Sequence, residues 1–227
     1  MAEPTGSYPD RGSDDRVSGD HDGPDRDRND RRPLHLLEPH VSRGIVQRLQ
    51  LTTLLGRFHD RHVWAAFMFV NGFITIGSLA LLAMITRTPF VFPSLGPTAF
   101  LFFFSPTMPT ASPRHTIYGH AIGILCGYGS LLVTGLASAP AVNMVGVAPM
   151  RILAAALSLA LTGSLMILFK AAHPPAGATT LIIALGIVTK PFHLLTIELA
   201  VALLTAQSIL INRLAGIDYP IWAKRQQ

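Results

Sequence analysis

Apolar side chains come in long blocks along this chain. Residues 63–86 run 24 positions without a charge. Residues 88–113 run 26 uncharged positions, but Pro89, Pro93, Pro97, Pro106, Pro109 and Pro113 interrupt them. Residues 115–150 hold no Asp, Glu, Lys or Arg, and 117–138 is the expected span. Residues 152–169 give an 18-residue apolar stretch, 171–189 a 19-residue stretch opened by Pro174 and Pro175, and 191–212 a stretch whose one charge is Glu198. A helix needs about 20 apolar residues to cross a bilayer. The pattern therefore predicts an all-α fold, a polytopic membrane helix bundle. It has four clear spans plus two Pro-interrupted segments, half-length or re-entrant. Six crossing or near-crossing segments are the preferred count, and both counts are even.

Charge sharpens this picture. The chain is 14% charged, with a mean hydropathy of +0.40, where soluble domains carry about 25% charged residues. Residues 63–223 hold Arg87, Arg114, Arg151, Lys170, Lys190, Arg213, Glu198 and Asp218 and no other charged side chain. A soluble fold of that size cannot cover its surface so sparsely. The net charge of +5 does not indicate nucleic acid, because the basic residues form no block and the N-terminal ones alternate with Asp. Residues 1–33, dominated by Asp, Arg, Gly, Ser and Pro, cannot bury enough surface to offset their ordering entropy. They are expected to be a disordered cytoplasmic tail. They also lack the apolar core of a secretory signal. Residues 34–62 form an amphipathic juxtamembrane segment. Ile45, Leu49, Leu51 and Leu55 lie along one helical side and Arg43, Arg48 and Arg57 elsewhere, a pattern suited to the lipid interface. Together with Arg61, these arginines put that side in the cytoplasm by the positive-inside bias. The single cysteine, Cys126, lies in an apolar run and reads as a packing residue.

The two Pro-marked segments resemble each other. Phe92-Pro-Ser-Leu-Gly-Pro-Thr-Ala-Phe100 aligns without gaps on His173-Pro-Pro-Ala-Gly-Ala-Thr-Thr-Leu181 at an offset of 81 residues. Pro93 meets Pro174, Gly96 meets Gly177 and Thr98 meets Thr179. The order of span, Pro-marked segment and span then occurs twice, which suggests a two-fold internal repeat. Proline suits a first helical turn and pushes the residue before it toward extended structure. Both stretches thus read as extended chain turning into a helix start. Unpaired backbone at membrane depth is tolerated beside protein or water, and paired interrupted segments of this kind point to a transport site. Free N–H groups at two converging helix starts would hold a small anion. Elsewhere, Gly119, Gly123 and Gly127, and then Ala156, Ala160 and Ser164, make small-residue ridges that let helices approach closely.

His-Pro-Pro at 173–175, set within Lys170-Ala-Ala-His-Pro-Pro-Ala-Gly-Ala-Thr-Thr-Leu181 and preceded by the Phe92–Phe100 stretch, resembles the HPP family of integral membrane proteins. The resemblance covers roughly residues 60–215, so 63–214 is taken as an HPP-like transmembrane domain and 215–227 as a short cytoplasmic tail. It implies a bundle of about four membrane helices. It also implies transport, since chloroplast and cyanobacterial relatives are implicated in nitrite transport.

The expected function is a membrane transporter or channel for a small inorganic anion, nitrite first, bound at broken-helix N-termini. The alternative is a membrane structural or regulatory subunit that carries nothing. Candidate substrate-binding residues are His173, Pro174, Pro175, Gly177, Thr179, Thr180, Ser94, Gly96 and Thr98. Prolines and glycines there would shape the backbone and hydroxyls would donate to the anion. Glu198, the one carboxylate within an apolar span, and His120 are the proton-coupling candidates, because intramembrane ionisable groups are costly. Glu198 could instead pair with Lys190, His193 or His120. No metal site is expected, since His115, His120, His173 and His193 are scattered. No cofactor and no enzyme chemistry are expected either, because no catalytic motif occurs in the membrane part. Expected partners are the lipid bilayer, the anion and a second copy of the chain, for which the glycine ridge offers a surface. The expected location is a bacterial-type plasma (inner) membrane, multi-pass, with both termini cytoplasmic.

Overall fold

A computed structural model describes residues 51–56 and 59–223. The tail expected over 1–33 and most of the amphipathic segment over 34–62 lie outside the described residues. Among the described residues the regular elements are all helices: α1 (Leu51–Leu55), α2 (Asp60–Thr86), α3 (Leu95–Phe104), α4 (Pro113–Val133), α5 (Val142–Val145), α6 (Pro149–Leu168), α7 (Ala176–Ala184) and α8 (Pro191–Leu214). A 3-10 turn, Pro109–Ala111, precedes α4. Four helices, α2, α4, α6 and α8, are long and apolar enough to cross a membrane.

Local sequence explains the boundaries. The helices α4, α6 and α8 each start on a proline that follows a residue in extended conformation, Ser112, Ala148 and Lys190, as proline's fixed φ and missing N–H require. The first span begins at Asp60, three residues before the apolar run, so Asp60, Arg61 and His62 form its first turn.

Contacts between helix ends set the topology. A groove of about 690 Å³ is lined by Leu51 and Leu54, by His62 and Val63 early in α2, and by Ile211 and Leu214 at the end of α8. The Arg114 guanidinium at the start of α4 donates to the carbonyls of Lys170 and Phe169 just past α6, and the Arg114 N–H donates to the Trp222 carbonyl. The starts of α2 and α4 and the ends of α6 and α8 therefore share one side, here the terminal face. The opposite, loop face holds residues 134–148, where Val142 N–H donates to Leu185 O. Since α2 ends at the loop face and α4 starts at the terminal face, residues 87–112 must cross back. Residues 169–190 cross in the other direction by the same reasoning.

Each of these crossings is half helix and half extended chain. With 10 residues in α3 and nine in α7, they are about 15 and 14 Å long, half of a core roughly 30 Å thick. The end of α3 points to the terminal face, where Asn212 Nδ2 donates to Phe102 O and Phe67 packs edge-on against Phe103. The start of α7 lies beside Gly119 and Gly123 of α4, and its end, Ala184, is held by Arg151 at the loop face. The half-helices thus run in opposite directions with their N-termini inside the bundle.

The repeat is structural and inverted. Leu95 and Ala176 open the two half-helices, Val133 and Leu214 close the two third helices, and each pair is 81 residues apart. The third helices are exchanged between halves: α4 packs chiefly on α7 and α6, whereas α8 packs on α4, α3 and α2 rather than on α6 and α7.

Two expectations change at this level. The glycine ridge faces inward, so it does not offer a surface to a second copy. A Cβ at Gly123 would stand 2.9 Å from Ala176 O, and one at Gly127 would stand 3.0 Å from Thr180 O. The ridge exists to admit α7, whereas Ala156, Ala160 and Ser164 on α6 face outward. The described part of the 215–227 tail is folded in. Ile217 and Tyr219 are buried, the Tyr219 hydroxyl donates to Ala111 O, and Trp222 packs on Tyr118 with ring centroids 5.7 Å apart.

Candidate functional site

A cluster of fully buried polar side chains lies where the two half-helices begin. Thr98 lies in the first turn of α3, Thr179 in the first turn of α7, and His120 on α4 between them. His120 Nε2 is 3.0 Å from Thr98 Oγ1, and its Nδ1 is 2.8 Å from Thr179 Oγ1. The two hydroxyls matched by the repeat therefore grip one imidazole from either side. His173, at the end of the extended lead into α7, places Nε2 3.3 Å from Thr98 Oγ1 and Nδ1 2.8 Å from Thr110 O. The two rings have centroids 5.0 Å apart. Thr98, His120, His173 and Thr179 are each 0% exposed, so the cluster is closed to both faces.

Packing holds these groups in register. Gly119 leaves room for His173, whose Cβ would lie 2.6 Å from any Cβ added at Gly119. Thr116, one turn before His120, hydrogen-bonds Ser112 O at 3.1 Å and lies 3.4 Å from His173 Nδ1.

The other sequence candidates take different places. Ser94 is the N-cap residue of α3, and its buried hydroxyl caps nothing and has no hydrogen-bond partner. Thr180 turns away from Thr179 to Thr162 Oγ1, at 2.9 Å, and to the Gly123 and Ala176 carbonyls. Gly96 and Pro174 are exposed, Pro175 is the N-cap residue of α7, and Gly177 packs against Leu159. Glu198 stands apart from the cluster on α8. Neither carboxylate oxygen has a hydrogen-bond partner, so Glu198 is bonded to none of Lys190, His193 and His120. Among the described residues no group of three metal-ligating side chains occurs.

The free N–H groups expected at the helix starts are largely absent from α7. The Ala176, Gly177 and Ala178 N–H groups bond back to the carbonyls of His173, Pro174 and Pro175, and the two prolines have no N–H. The donors left at the bundle interior are imidazole and hydroxyl groups.

Three contributors had no advance signal strong enough to single them out. Thr116 follows from its four-residue spacing to His120, which shares a helix face. Thr110 acts through its carbonyl, which composition does not reveal. Arg151 is 3% exposed and binds the Ala184 and Pro140 carbonyls at 3.2 and 2.8 Å. It caps the negative end of the α7 dipole. Its isolation within residues 115–169 was the available hint.

A profile described as "HPP, transmembrane region" matches residues 59–220. The chain belongs to the HPP family of membrane proteins. The HPP match takes in both half-helices, the whole cluster and the buried Ile217 and Tyr219. No curated protein and no solved structure matches the chain. Its assignment as a multi-pass HPP protein thus rests on the family match and on the four spanning helices.

Proposed function

We propose that this HPP protein is a transporter for a small inorganic anion, with nitrite the first candidate through the family resemblance. One observation carries the reading. Two antiparallel half-helices bring their positive N-terminal ends to one fully buried imidazole–hydroxyl cluster. Each such end carries about half a positive charge, and transporters with inverted repeats build substrate sites in this way. The anion would be held by Thr98, Thr179, His120, His173 and the unpartnered Ser94 hydroxyl. Because these groups are sealed from both faces, passage requires the α2–α3–α8 group to move against the α4–α6–α7 group. Purified protein in liposomes should take up isotopically labelled nitrite faster than protein-free liposomes do. Parallel assays with nitrate and formate define selectivity.

The second reading, a subunit that carries nothing, draws on a specific feature as well. Each imidazole and hydroxyl of the four-residue cluster is already hydrogen-bonded within the protein, as in a purely structural polar network. Absence of uptake for all three anions would favour it and refute the transport proposal.

A further inference from the structure

The distances around the two rings fix where the protons sit. His173 Nδ1 lies 2.8 Å from a carbonyl oxygen, Thr110 O, and 3.4 Å from Thr116 Oγ1. A carbonyl only accepts, and the Thr116 proton goes to Ser112 O, so Nδ1 carries hydrogen. Nε2 of a neutral His173 is then an acceptor, and the donor beside it is the Thr98 hydroxyl at 3.3 Å. That single proton also has Ser94 O at 2.9 Å. His120 Nε2, at 3.0 Å, must therefore donate to Thr98, and His120 Nδ1 accepts from Thr179. The two imidazoles are opposite tautomers. The Thr98 proton cannot serve Ser94 O and His173 Nε2 at once, so the neutral cluster is one proton short of its full set of hydrogen bonds. One more proton, on His173 Nε2, completes that set, with Thr98 donating to Ser94 O and accepting from both rings.

We infer that Thr179, His120, Thr98 and His173 form a proton relay running from the start of α7 toward the terminal face, and that the transported anion moves together with a proton. The second half of this inference rests on the transport reading. A proton arriving at His120 Nδ1 makes that ring an imidazolium. His120 then releases its Nε2 proton to Thr98 Oγ1 as the Thr98 hydroxyl proton passes to His173 Nε2. One N–H and one O–H bond break and one of each forms, and the proton then stays on His173, whose Nδ1 faces the Thr110 carbonyl, until movement of the two halves opens the ring to water and releases it. The charge moves between rings whose centroids are 5.0 Å apart. An imidazolium here faces the positive ends of two helix dipoles, and a monovalent anion beside it cancels the charge. Proton and anion thereby favour each other's presence.

The surroundings leave this pair in control of its own charge. The half-helices α3 and α7 carry no ionisable side chain. On α6 the one ionisable group is Arg151, engaged at the loop face. On α4 itself, His115 bonds Ser112 and Arg114 bonds the end of α6, while Tyr118, Cys126 and Tyr128 complete its ionisable set. The helix α8 carries His193 and Glu198, the latter bonded to neither ring, and Arg213 in its last turn. Beyond α8, Tyr219 donates to Ala111 O, and Asp218 is exposed.

Proton flux tests the relay directly. Liposomes with a trapped pH-sensitive dye receive a valinomycin-driven potassium diffusion potential, with and without nitrite. Thr98→Val removes the bridging hydroxyl at nearly constant shape, and Thr98→Ser keeps it. Wild type and Thr98→Ser should carry protons at similar rates, with Thr98→Val about a hundredfold slower. Equal flux through wild type and Thr98→Val in both conditions overturns the relay. Proton flux without uptake of any anion overturns the transport reading instead and leaves the relay intact. Nitrogen-15 NMR of histidine-labelled wild type adds a readout that needs no variant. His173 should be neutral with its proton on Nδ1 and His120 with its proton on Nε2, and a shared tautomer overturns the relay.

Discussion

Gly119→Ala should damage the bundle out of proportion to one added methyl group. The new Cβ would stand 2.6 Å from His173 Cβ and 3.5 Å from Ala171 O. Carbon atoms in contact sit about 3.5–4.0 Å apart, so His173 must retreat by about 1 Å. The contacted atom is the stem of the side chain, so ring rotation cannot relieve the clash. The bond from His173 Nδ1 to Thr110 O at 2.8 Å and the contact of Nε2 with Thr98 at 3.3 Å cannot both survive such a shift. Overpacking costs about 1–3 kcal/mol, and each lost hydrogen bond about 1 kcal/mol. Alanine's higher helix propensity returns up to about 1 kcal/mol. The net loss is about 1–4 kcal/mol. Gly129, on the same helix, has nothing within 4 Å of an added Cβ, so Gly129→Ala should gain up to about 1 kcal/mol. Thermal unfolding in detergent, followed by Trp64 and Trp222 fluorescence, compares the two variants. If Gly119→Ala melts at or above Gly129→Ala, the account of α4–α7 packing is wrong.

Three further expectations follow from other parts of the molecule. Glu198→Gln should be at least as thermostable as wild type, because the carboxylate has no hydrogen-bond partner to lose and a neutral amide is cheaper to bury; a clearly lower melting temperature would reveal a structural ion pair. Tyr219→Phe should cost about 1–3 kcal/mol by stranding the buried Ala111 carbonyl. Burial holds the Tyr219 phenol above its ordinary value, so wild type's advantage should persist at pH 8 and shrink as pH rises beyond about 10; an advantage that grows in alkali would contradict this. In a Cys126→Ala background, impermeant maleimide should reach Asn143→Cys from outside intact cells, but Gly56→Cys and Ala223→Cys only after permeabilisation. Equal access at 143 and 223 would sink the topology.

Three matched residues in nine pointed to the repeat because they are the ones the backbone needs at a half-helix start. The proline sets the entry, the glycine is small, and the threonine sits one turn in. Leu95 and Ala176 confirm the register residue for residue. The exchange of third helices was not legible. The α4 ridge Gly119–Gly123–Gly127 states that something comes close, but not that the visitor is α7 from the other half. The ranking of Glu198 beside His120 followed from charge cost alone. His120 joins the cluster because Thr98 and Thr179 approach from two other helices, a coincidence that no single segment encodes. The described C-terminal residues read as a tail because they follow the last apolar stretch. Ile217 and Tyr219 are nonetheless fully buried, and Tyr219 meets Phe102 and Ala111 more than 100 residues earlier in the chain.

The prolines of the two broken segments do more than interrupt helices. Extended chain at membrane depth exposes N–H groups that lipid cannot satisfy. Pro89 and Pro93 on the way into α3, Pro97 in its first turn, and Pro174 and Pro175 before α7 remove five such donors. Leu95 N–H bonds back to Phe92 O, and the first three N–H groups of α7 bond back to residues 173–175. The backbone at both half-helix starts is thus largely self-sufficient, and neither N-cap residue, Ser94 or Pro175, makes a side-chain cap bond. Thr98, Thr179, His120 and His173 are not consumed in capping and bond chiefly to one another across the two halves. Polar groups that the helix starts do not need, kept at membrane depth where they are expensive, call for another reason to be there. This is why Thr98→Val is informative. The start of α3 loses the Thr98 bond to Ser94 O but no side-chain N-cap when the hydroxyl goes, so a variant that folds like wild type but no longer passes protons separates the cluster's chemistry from its architecture.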